Sequence, residues 1–128
     1  MYSKAQAMAD NLHAAFNHFK AMQFALMAME ISAFNEHHDK AEALLEDVQN
    51  MLDADQTNQL ADAIKRELGT SETSQILAAM SEAEAPDFSE EFAAMKEIPD
   101  VPADVVALLD KFAPFMTSLH TLAVALYK

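Results

Sequence analysis

The chain has 128 residues, a net charge of −13 and no cysteine; this is enough for one domain with its own core, and it excludes a disulfide scaffold, a zinc–thiolate site and a thiol nucleophile. One glycine and no tryptophan, with abundant Ala, Leu, Met, Glu and Gln, describe an all-α chain, because sheets and their turns need more glycine and more β-branched residues. Arg66 is the sole arginine, and eight basic residues against twenty-one carboxylates exclude a direct grip on nucleic acid.

The expected architecture is a compact helical bundle of five to six helices, with long apolar helices at both ends of the chain. The first helix is predicted over Ser3 to Phe34, with Ala5, Met8, Leu12, Ala15, Phe16, Phe19, Leu26 and Ala33 on one stripe. From Ala21 to Phe34 apolar side chains surround nearly the whole circumference. A helix of that kind is either threaded through the middle of the fold or shared with another chain. Phe24, Met27, Glu30 and Ile31 therefore form the expected oligomer seam. Gln23, Glu30 and His37 recur every seven residues along the same stripe. Within it Glu30 needs a partner, because an unpaired buried carboxylate costs several kcal/mol. The register continues through Ala41, Leu44, Val48 and Met51, so the pattern also fits the first two helices as a single long one. Helix length and an Asp39 to Glu42 capping box favour a break near Asn35.

Asp53 and Asp55 are N-cap candidates for a third helix carrying Leu60, Ile64 and Leu68, and Gly69 stands where a left-handed C-terminal cap is wanted. Thr70 or Ser71 caps a fourth helix with Ile76, Leu77 and Met80, ending before Ala85 and Pro86. Asp87 and Glu90 open a short fifth helix bearing Phe88, Phe92 and Met95. After Pro99 and Pro102 comes a long last helix defined by Val105, Leu108, Leu109, Phe112, Phe115, Leu119, Leu122 and Leu126. Pro114 is expected to kink or split it, since its ring removes the hydrogen bond to the Asp110 carbonyl. The simplest packing uses the first and last helices as a spine, with the others laid around them.

Charge is concentrated in two segments. Residues 36–62 and 82–104 each carry −7, whereas 1–35 and 63–81 balance and 105–128 carry +1. The amino terminus lacks the basic-then-apolar order of a secretory signal, and the apolar run from Ala21 is shorter than the ~20 residues that span a bilayer. The expectation is a cytoplasmic protein with no membrane contact.

Enzymatic signatures are missing from the sequence. The serines lack the glycine-flanked elbow of hydrolases, and one glycine cannot build a phosphate-cradling loop. Five histidines invite a metal, but Glu-x-x-His and His-Glu-x-x-His are both absent; His38 and Glu42, one turn apart, are the nearest approach to a ligand pair. Asp53 and Asp55 resemble the start of a calcium loop, yet Asn58 and Ile64 occupy positions that require glycine and glutamate. No cofactor is expected.

What remains is recognition. A strongly negative field speeds encounter with a basic protein partner, and carboxylates on short helices can imitate phosphates. The leading reading is a non-enzymatic inhibitor or regulator of a basic, nucleic-acid-handling protein. Its candidate face is Asp87, Phe88, Glu90, Glu91, Phe92, Glu97 and Asp100, apolar anchors ringed by charge; the plainer alternative is an amphipathic helix lying on the core. The other functional readings are a self-associating structural protein and a carrier of a metal or small ligand through Glu30 and the histidines.

Overall fold

The computed structural model describes residues 3–128. Six helices follow one another without a strand among these residues: α1 (Lys4–Met27), α2 (Ile31–Ala54), α3 (Gln59–Leu68), α4 (Glu72–Glu82), α5 (Ser89–Glu97) and α6 (Ala103–Tyr127).

Ser3 starts α1 by accepting the Gln6 amide at 3.1 Å, satisfying one of the donors a helix start leaves open. The helix does not reach Phe34 as the sequence pattern suggests. Met29 takes a φ of 58°, its amide donates to the Leu26 carbonyl at 3.2 Å, and the Glu30 amide donates to the Ala25 carbonyl at 2.8 Å. These two bonds form a Schellman stop, with methionine where glycine is usual. The break therefore falls at residues 28–30 rather than near Asn35, and the polar run 35–39 lies inside α2. Asp39 is mid-helix, so the expected capping box does not form. A non-glycine residue in the left-handed region costs about 1–2 kcal/mol. The offset is long-range: reversal here buries Phe34 completely, with its ring 6.4 Å from that of Phe112.

The reversal makes α1 and α2 an antiparallel pair in contact along their length. It also leaves the end of α1 covered on one side only. Met22 and Ala25 face the core, but Phe24 is 73% and Met27 82% exposed. The expectation that this stretch is threaded through the fold is thus overturned within the chain. Gln23 and Glu30 are exposed as well, so the heptad of polar residues in a buried seam does not exist, its register having depended on an unbroken helix.

Asp55 organises the next corner, accepting the amides of Thr57 at 3.0 Å and Leu60 at 2.7 Å. Asp53 instead accepts from Gln49 within α2. Gly69 closes α3 with φ 58° and ψ −128°, a positive φ as anticipated, though its ψ lies outside the left-handed helical well. Ser71 caps α4 through the Ser74 amide at 3.2 Å.

The spine inferred from sequence is also corrected. α1 pairs with α2, while α6 lies against α2 and α4. Helices α1 and α6 meet chiefly through Phe19, whose ring stands 6.5 Å from Phe112 and 5.8 Å from Phe115. The Lys111 ammonium donates to Asn35 Oδ1 at 2.9 Å, and Phe115 meets His38; α6 therefore runs beside α2 in the same direction. Pro114 neither splits α6 nor ends it. It lies on the exposed side of the helix, where water can satisfy the Asp110 carbonyl it leaves free. One core results, centred on Leu12, Met22, Phe34, Val48, Ile64, Leu77, Leu108 and Leu122.

Candidate partner-binding surfaces

The acidic segment 82–104 forms the least embedded part of the fold. Asp87 accepts both the amide and the hydroxyl of Ser89, which starts α5 and holds its carboxyl below the usual range, the hydroxyl bond being the larger cause and the amide bond the next. No residue of α5 is buried. The helix rests on α6 through half-buried Phe88, Phe92 and Met95; the Phe88 ring meets Phe112 edge-on at 6.0 Å, and Phe92 and Met95 lie beside Val106 and Asp110. These side chains thus face inward, so the aromatic members of the expected face hold the helix in place. Glu90, Glu91, Glu97 and Asp100 point to solvent, and none of the four stands in an ion pair among the described residues. The segment thus presents unpaired carboxylates on a lightly held helix and, at Asp100, in the turn after it.

A second surface lies at the α1–α2 turn. Phe24, Met27 and Met29 expose apolar area there, while Glu30 is exposed beside them and Ile31 is half-buried. The expected seam residues are therefore adjacent, but they form a corner rather than a buried stripe.

The histidines serve packing and helix contacts. His13 Nδ1 lies 3.0 Å from Thr73 Oγ1, joining α1 to α4, and His120 Nε2 donates to the Ala83 carbonyl at 3.0 Å, where α4 ends. His38 is buried between the rings of Phe34 and Phe115, at 6.1 and 5.7 Å. Its Nδ1 donates to Asp39 at 3.1 Å, and its Nε2 lies 3.5 Å from Glu42 Oε2. His18 and His37 meet Nδ1 to Nδ1 at 2.9 Å, so one ring donates the proton and the other accepts it. This pair joins α1 to α2 and was not legible from the sequence, where the two residues stand nineteen positions apart. Among the described residues, no three His, Asp or Glu side chains converge as a metal site requires, and no helix is long and apolar enough to cross a membrane.

The chain matches no known protein family, no curated protein and no solved structure.

Burial first, then the neighbouring His37 and Lys40, pushes His18 below its ordinary value, with Glu36 opposing them. A histidine depressed on folding contributes stability that is complete above its unfolded value of about 6.5 and fades as pH falls through that value toward the folded one. Wild-type protein should therefore lose melting temperature between pH 7.5 and 5.5 more steeply than a His18→Gln variant. Parallel profiles for the two proteins would show that the pair carries no such linkage.

Proposed function

We propose that the chain is a non-enzymatic acidic helical protein that acts by binding a basic protein, as an inhibitor or regulator of a partner that itself handles nucleic acid. The carrying observation is the set Glu90, Glu91 and Glu97 on a helix without a buried residue, with Asp100 in the turn that follows it, all solvent-exposed and unpaired among the described residues. Unpaired surface carboxylates need no desolvation of an existing ion pair before meeting a cation, and a net charge of −13 steers a cationic protein toward them. The same charge repels nucleic acid, which makes competition for a nucleic-acid-binding surface the physically consistent mode of action. Because α5 is held by half-buried contacts alone, it can shift to match a partner at small cost to the core.

Reversing Glu90, Glu91 and Glu97 to lysine tests the reading. Exposed charge pairs contribute about 0.2–1 kcal/mol each. The triple variant should therefore bind a basic partner captured from the native host roughly tenfold or more weakly, with a flatter dependence on salt. Unchanged affinity and an unchanged salt slope would remove the proposal.

The corner formed by Phe24 and Met27 supports a second reading, self-association, because two large apolar side chains so fully in water on one helix face are a contact waiting for a cover. Residues 1–35 are also electrically neutral, so two acidic copies repel less here than across residues 36–62 or 82–104. Sedimentation at micromolar concentration should then show a species larger than the monomer that a Phe24→Glu, Met27→Glu variant loses. A wild-type monomer at every concentration would dispose of this reading.

A further inference from the structure

A groove of about 310 Å³ runs between α2 and α6. Its apolar lining comes from Leu45, Phe115 and Leu122, each of which also belongs to the core. The polar groups around it are rich in acceptors, because several of their donors are already engaged elsewhere. The Thr117 hydroxyl donates to the Ala113 carbonyl at 3.2 Å, and the Thr121 hydroxyl donates to the Thr117 carbonyl at 3.0 Å. The Gln49 amide NH2 donates to Asp53 at 2.9 Å. Each of these residues therefore has oxygen lone pairs left to offer the groove. Glu42 and Glu46 complete the α2 side with carboxylates that can only accept. Ser118 adds a hydroxyl that can turn either way.

An acceptor-rich rim over an apolar floor is complementary to a particular chemistry, a cation with many donors on an apolar stem. We infer that this groove binds the guanidinium side chain of an arginine presented by the basic partner. Three physical arguments favour that occupant. Arginine carries five N–H donors in a planar fork, enough to engage acceptors from both helices at once, whereas the three donors of lysine converge on a single point. The floor of Leu45, Phe115 and Leu122, buried in the core with only edges showing, offers the apolar bed along which the methylene stem of a long cationic side chain lies. The volume lies at the small end for ligand cavities, fitting one side chain rather than a drug-sized molecule. His38 supports the site from behind, since its ring packs on Phe115 and its Nε2 lies 3.5 Å from Glu42 Oε2.

This inference rests on the reading of a basic protein partner but is tested without one. The probe is n-butylguanidinium, titrated into the full chain and followed by amide chemical shifts. Saturable shifts are expected at Leu45, Glu46, Thr117 and Thr121. n-Butylammonium should bind roughly tenfold more weakly, and n-butanol, which has the stem without the cation, should give no saturation. A Glu42→Gln, Glu46→Gln variant should lose roughly tenfold in butylguanidinium affinity while keeping its melting temperature, since both side chains are exposed and an amide at position 42 still pairs with His38 Nε2, as acceptor or donor. Non-saturating shifts, shifts spread evenly over all acidic segments, or an unchanged affinity in the double variant would overturn the arginine site. Such a failure is distinguishable from failure of the partner reading, because the charge reversals on α5 report on partner capture independently of the groove.

Discussion

The reversal at Ala28, Met29 and Glu30 is the constraint on which the rest of the molecule depends. It places a methionine in a backbone conformation that favours glycine, and beyond the two backbone hydrogen bonds of the turn the return is tertiary. Once α2 folds back along α1, Phe34, His38, Ala41, Leu45 and Val48 all face inward, and Phe34, Phe19, Phe112, Phe115 and His38 form a continuous set of ring contacts across three helices. A strain of about 1–2 kcal/mol is offset by the burial of one phenylalanine, worth about 1.5–3 kcal/mol, and outweighed by that of the whole set. The reversal also brings His18 and His37 together and leaves Phe24 and Met27 outside.

The order of packing explains where function can reside. The α1–α2 pair and α6 carry the core, with α3 and α4 closing the opposite side through contacts such as Ser74 to Tyr127 at 2.7 Å and Lys20 to Glu72 at 2.7 Å. Helix α5 stands apart, attached to α6 through half-buried side chains. Its carboxylates can therefore vary or move without disturbing Leu108 or Phe115 beneath. Acidic residues on α2 are differently placed, because Glu42 and Glu46 sit beside a concavity whose walls are rigid core helices. The chain thus carries one adaptable acidic surface and one preformed acidic groove, a division consistent with long-range attraction at the first and side-chain selection at the second.

Local chemistry was legible in the sequence wherever a side chain acts within a few residues of itself. Ser71 caps α4, Gly69 ends α3, Asp87 opens α5 and the last helix begins after Pro102, all from spacing and capping rules. The turn at Met29 was not legible, since Ala, Met and Glu are good helix formers and the two bonds that stop α1 are made by backbone atoms. Reading in phase past Met29 puts Glu30 in a seam, and the capping rule then puts the break too late, near Asn35 with Asp39 as the cap. Helix partnership was equally hidden: α1 and α6 attract the eye by composition, yet neighbours are chosen by the reversal and by loop lengths. For the candidate surfaces the same division holds. Glu42, Glu46 and Gln49 lie on one face of α2, and Thr117 and Thr121 on one face of α6, by helical periodicity alone. That these two faces share a groove follows only from the parallel run of α2 and α6, which no pattern within either helix encodes.

The direct test of the reversal is the distance between its two arms. Because the chain has no cysteine, spin labels can be attached cleanly at Gln6→Cys and Asn50→Cys, both exposed positions. Packed antiparallel helices lie about 8–10 Å apart between axes, so pulsed dipolar spectroscopy should return a single narrow distribution below about 30 Å once label arms are included. One unbroken helix through residues 28–30 would separate these positions by about 66 Å at 1.5 Å per residue, and a distribution centred there would contradict the fold and every surface derived from it.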